Sequence, residues 1–198
     1  RLVVARAHDF ADWVALADFA AAIARGGEVA RFEAAVEAIV AGELATLARL
    51  LADDPALVRA RSTRRTCFDP PLHRATLLHY VGANGVEGCR QRTPPSAVAI
   101  ARTLLAAGSE VDATADFYGQ PCATMSLLVS SSVPAEAGLQ GELVELFLEH
   151  GAALEGRGES WGSPLLTALV FGCPQAVAAL VKRGASTADV AIAAGLGR

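Results

Sequence analysis

The chain has 198 residues, 53% of them hydrophobic, 19% charged and only 6% aromatic, and it carries a formal net charge of −4. This is ample apolar material for a core, and the acidic balance argues against a dedicated nucleic-acid binder. Ala and Leu dominate the apolar fraction, which suits short, closely packed helices better than a sheet. The one lysine is Lys182, so the basic residues are almost all arginine, as a GC-rich, bacterial coding bias would produce. Cys67, Cys89, Cys122 and Cys173 form no C-x-x-C pair. They read as free thiols in a reducing cytosol, with no metal or redox motif and no cofactor implied.

Residues 1–27 are expected to form a capping element. Asp9 or Asp12 can cap a helix on which Phe10, Trp13, Leu16, Ala17, Ala20 and Ile23 recur at helical spacing, with Gly26-Gly27 as its stop. Trp13 is expected to plug the end of the core. From about residue 32 a repeat register begins. Thr76-Leu77-Leu78-His79-Tyr80-Val81 has an N-cap threonine and an apolar helical stripe, and Asn84-Gly85 ends it. Ser163-Pro164-Leu165-Leu166 opens the same pattern, with Gly172 and Gly184 at its two stops. Glu33 to Gly42 and Ala123-Thr124-Met125-Ser126 are weaker versions. Second helices end in Leu104-Leu105-Ala106-Ala107-Gly108 and Leu146-Phe147-Leu148-Glu149-His150-Gly151. The long apolar stretch 164–181 is interrupted at Gly172 and Pro174, so it reads as two short helices and no membrane span.

These residues resemble the ankyrin-repeat family, whose signature opens T-P-L-H-x-A. Leu77 stands where the signature has proline. The resemblance covers about residues 32–197. It implies an all-α solenoid of stacked helix-turn-helix pairs with long finger loops, four to five repeats over 32–198, capped by 1–27. Both chain ends look cut from a longer protein, and the array is expected to continue beyond 198. Repeat starts near 33, 76, 123 and 163 are more widely spaced than the family period of about 33 residues. The excess falls in loops 59–72, 86–95 and 131–138. By resemblance, His79 bonds back to the Thr76 hydroxyl and is structural.

The family implies a non-catalytic scaffold that binds a protein partner through finger loops and inner helices. Between residues 59 and 92 there are seven arginines and two acids; between 108 and 160 there are nine acids and one arginine. Arg61, Arg64 and Arg65 are therefore expected to receive an acidic or phosphorylated partner, since the guanidinium fork matches carboxylate and phosphate. Tyr118 and Trp161, each in a finger, would supply apolar anchorage. Solvated arginines and finger-on-finger packing are the plainer readings. A second hypothesis is a small-molecule binder or enzyme with a pocket near His79, Asp116 and Tyr118, roofed by the long loops. No nucleophile elbow, phosphate loop or metal-ligand spacing supports catalysis. A third is a structural oligomer with an apolar patch at the C-terminal end. The expected location is cytoplasmic.

Overall fold

The computed structural model describes residues 1–85, 87–157 and 162–197. Helices account for 56% of the chain and strands for 5%, so the fold is mainly helical, with one two-stranded sheet that a purely helical reading omits. Among the described residues no helix is long and apolar enough to cross a membrane.

The chain opens with α1 (Leu2–Ala7) and α2 (Trp13–Ala24). Asp12 caps α2, its carboxylate accepting from Ala15 N at 2.9 Å. The expected plug is corrected here. Trp13 is 40% exposed and no residue of α2 is buried. The residue that enters the core lies ahead of the helix: Phe10, 2% exposed, rests on Phe19 with ring centroids 5.4 Å apart. Asp9, at φ 60°, turns the chain so that Phe10 points inward.

Next come α3 (Glu28–Ala41) and α4 (Leu44–Asp53), antiparallel neighbours joined at Gly42. Gly42 sits at φ 81°, and a Cβ there would lie 2.8 Å from both Pro94 Cβ and Ser96 Oγ. Only glycine meets both conditions. A 3-10 turn, Pro55–Arg59, leads into the first long loop. Then follow α5 (Leu77–Val81), the 3-10 turn Gly88–Arg90, α6 (Ala97–Ala106), and the hairpin β1 (Thr114–Phe117) with β2 (Gln120–Ala123). The strands pair antiparallel, Thr114 with Ala123 through Phe117 with Gln120. The last six helices are α7 (Thr124–Val129), α8 (Ser132–Glu136), α9 (Gln140–Glu149), α10 (Pro164–Val170), α11 (Pro174–Lys182) and α12 (Val190–Gly195). The apolar stretch 164–181 is indeed two helices, with Gly172 at φ 66° between them.

The helices lie in two rows. In one, α3, α5, α7, α10 and α12 follow each other; in the other, α4, α6, α9 and α11 do. Apolar side chains fill the space between the rows as one cluster running from Phe32 to Ile192. Helices this short leave many end groups unsatisfied. Side chains of neighbouring elements supply the missing bonds. Gln140 Nε2 donates to Leu128 O and Ser131 O, both at 3.0 Å, and Ser131 Oγ donates to Ala83 O at 2.9 Å.

Candidate functional site

The Arg-rich loop does not project. Arg64 is 4% exposed: its guanidinium lies over the Phe10 and Phe19 rings at 4.4 and 5.4 Å, donates to His8 O, and stands 3.7 Å from Glu87 Oε1. Arg90 completes a buried network. It pairs with Glu33 and Glu37 at 2.8 Å and with Glu87 at 3.9 Å, while Tyr80 donates to Glu87 at 3.4 Å. Burial raises the Glu33 carboxyl above its ordinary value although Arg90 pulls it down. Buried charges must be paired, and these pairs tie the N-terminal helices, α3, the loop and α5 together. The expected three-arginine grip is thereby corrected. Arg64 is a buried structural cation, and Arg61 is half-buried, with Nη1 donating to Arg74 O at 2.9 Å and Thr114 O at 2.7 Å. Of the three, Arg65 is exposed.

His79 is wholly buried, which corrects its place in the alternative pocket. Thr76 N–H donates to Nδ1 at 3.2 Å, so Nδ1 accepts, and it also accepts from the Thr76 hydroxyl at 2.8 Å. Nε2 therefore carries the hydrogen and faces Cys122 O at 3.4 Å, joining α5 to β2. Burial lowers its pKa to about 4, so it is neutral near pH 7. Asp116 lies in β1, its backbone N–H donating to His73 O at 2.8 Å, and neither it nor His79 lines the cavity beside Tyr118. Trp161 lies outside the described residues.

Tyr118 is the expected residue that does reach a site. With Gly119 it makes the two-residue hairpin turn, at φ 56° and 75°. Two positive φ values in a row define the turn whose twist matches the strands. The ring is 56% exposed, and the hydroxyl donates to Asn84 Oδ1 at 3.2 Å. Beneath it is a cavity of about 200 Å³ lined by Phe68, Asp69, His73, Gly85, Gly88, Gln91, Phe117 and Tyr118. Three segments meet there: the first long loop, the second, and the hairpin. His73 is sandwiched, stacking on Phe68 at 6.2 Å and meeting Phe117 edge-on at 4.6 Å. Burial holds its pKa below the ordinary value against the pull of Glu87 and Asp116, so the imidazole is neutral near pH 7. Gly85 admits the second loop: a Cβ there would lie 3.0 Å from Leu127 and 3.2 Å from Phe117.

Phe68, His73, Gln91 and Phe117 were not legible as site residues in the sequence. The usable signals were an aromatic inside an Arg-rich insertion and the alternation Ala115-Asp116-Phe117 of a hairpin with one face inward. A larger, more open groove lies among α10, α11 and α12, with no charged side chain in its lining. Among the described residues no group of three His, Cys, Asp or Glu side chains could hold a metal ion. Compared with known families and with characterised proteins, the chain matches no family model and no characterised sequence.

Proposed function

We propose that the chain is a non-catalytic binding module on an ankyrin-type stack, and that it takes its ligand in the pocket under Phe68 and Tyr118. The two helix rows, the Thr76–His79 capping interaction and the hairpin ahead of α7 support the ankyrin reading. One observation carries the site. Two of the three insertions that exceed the repeat period converge with the hairpin on an aromatic-lined concavity. Ligand sites are mostly apolar concavities with a few convergent polar groups, and Asp69 and Gln91 are such groups here. The His73 imidazole, packed between the Phe68 and Phe117 rings, serves this site as a wall. None of the four cysteines is in a disulfide, in keeping with a reducing compartment.

The test is affinity purification of the tagged full chain and of Phe68→Ala/Tyr118→Ala from its native cell extract, with metabolite and protein mass spectrometry on each eluate. Both side chains are more than half exposed, so the double variant should keep its fold. A small molecule or partner retained by the wild type and lost from the variant supports the proposal. Identical eluates would overturn it.

A second reading rests on the exposed Arg65 and Tyr118, as contacts of a protein partner that never enters the cavity. In that case Arg65→Glu abolishes partner recovery and Phe68→Ala does not.

A further inference from the structure

We propose that this pocket takes a small organic cation with an apolar skin, of the tetraalkylammonium type. The inference rests on the pocket being the binding site and names the ligand class. The walls are faces and edges of four rings, Phe68, His73, Phe117 and Tyr118, with one lining carboxylate, Asp69. Aromatic rings carry negative faces and attract cations, the more so where water is excluded. Phe117 is 1% and His73 7% exposed, so the inner wall of the pocket is set deep in the molecule.

Several carboxylates stand close to it. Glu87 and Asp116 are the charged groups that act on His73. Asp9 stands behind Gly88, with both carboxylate oxygens 3.8 Å from where a Gly88 Cβ would be, and its Oδ2 is buried with no hydrogen-bond partner among the described residues. Of the arginines near it, Arg64 is paired with Glu87 and Arg90 with Glu33, Glu37 and Glu87, while Arg74 and Arg92, next in the chain to His73 and Gln91, are exposed to solvent, where their charge is screened. His73 adds no positive charge because its imidazole is neutral.

Size and hydrogen bonding narrow the class. About 200 Å³ is somewhat larger than a cavity that accepts benzene, about 150 Å³. The lining is mostly ring carbon, its side-chain acceptors being the Asp69 carboxylate, the Gln91 amide oxygen, the Tyr118 hydroxyl and one imidazole nitrogen of His73, so alkyl groups on a cation meet more of the wall than the three N–H donors of a primary ammonium would. A quaternary ammonium brings no donor, so it leaves nothing unsatisfied against aromatic walls. The same group can be a free solute or the modified end of a polypeptide side chain.

The experiment is amide NMR of the isotope-labelled full chain at constant ionic strength. It is titrated separately with tetramethylammonium chloride, choline, a trimethyllysine peptide, the neutral choline isostere 3,3-dimethylbutan-1-ol, and benzyl alcohol. The expected result is saturable shifts at Gly85, Gly88 and Tyr118 with the ammonium probes, and roughly tenfold weaker binding of the neutral isostere. Asp69→Asn should weaken the ammonium probes several-fold and leave the neutral isostere unchanged. A peptide that binds more tightly than choline assigns the cation to a polypeptide; the reverse assigns it to a free solute. Equal binding of isostere and choline, or shifts with benzyl alcohol alone, overturns the cation class and leaves the pocket as the binding site. If no probe shifts these amides, the cation class and the pocket reading both fall.

Discussion

At the scale of single residues, the buried polar groups decide more than their number suggests. His79 is neutral in the folded protein with a pKa of about 4, whereas an exposed histidine takes up its proton near pH 6.5. Between those values the unfolded chain binds a proton that the folded chain does not, so stability falls as pH falls through this window. The loss from His79 should be about 3 kcal/mol. Burial of His73 works in the same direction, and the raised carboxyl of Glu33 works against it. Urea unfolding from pH 8 to pH 4 should therefore show a steep decline in the wild type and a shallower one in His79→Gln. Equal slopes would show that the imidazole is charged or solvated in the folded state. Arg90 is the complementary case. Arg90→Ala leaves Glu33 buried without its ion-pair partner and takes one of two arginines from Glu87, at a cost of about 3–5 kcal/mol. Arg49, in an exposed pair with Asp53 at 3.3 Å, should lose less than about 1 kcal/mol on the same change. Denaturation midpoints of the two variants would settle the ranking.

At the scale of elements, turns set where the loops go. Tyr118 occupies a left-handed position that asparagine adopts with little strain. Tyr118→Asn should keep or slightly raise thermal stability, by up to about 0.5 kcal/mol, while removing a wall of the pocket. Loss of ligand with an unchanged melting temperature is the expected pattern; a melting temperature well below wild type would mean that the ring, and not the turn, holds the hairpin. Gly42 and Gly108 make a second comparison. Both have positive φ, but a Cβ on Gly42 meets Pro94 and Ser96 at 2.8 Å, and one on Gly108 meets nothing within 4 Å. Gly108→Ala should cost about 1–2 kcal/mol from backbone strain alone, and Gly42→Ala clearly more. Similar losses would mean that segment 94–96 moves away freely.

At the scale of the whole molecule, the two rows imply graded stability. Interior members such as α5 and α7 have neighbours on both sides within their row, whereas α12 packs on α10, and α2 buries no residue at all. Hydrogen exchange should therefore be fastest in α1, α2 and α12 and slowest in α5, α7 and α9. Uniform protection across the chain would show instead that it opens in a single step.

The sequence by itself determined the local elements. Capping residues, glycine stops and 3.6-residue periodicity act within a few positions of one another, so Asp12, Thr76, Gly42, Gly172 and Ser163 mark helix ends without reference to the rest of the chain. The Thr76–His79 interaction was legible through the resemblance of Thr76-Leu77-Leu78-His79 to the repeat signature, and it too joins residues three apart. What only the tertiary structure decided is which way the long insertions face. An arginine in a loop can be solvated or buried, and the outcome depends on whether distant partners meet it: Arg64 turns inward because Glu87, Phe10, Phe19 and the carbonyl of His8 gather around it. Trp13 shows the converse, since its helix packs on α1 and α3 without burying any of its residues. The pocket joins residues from three loops whose separation in the chain hides their contact in space. Its ring sandwich and its surrounding acids exist only once the loops are folded against the hairpin.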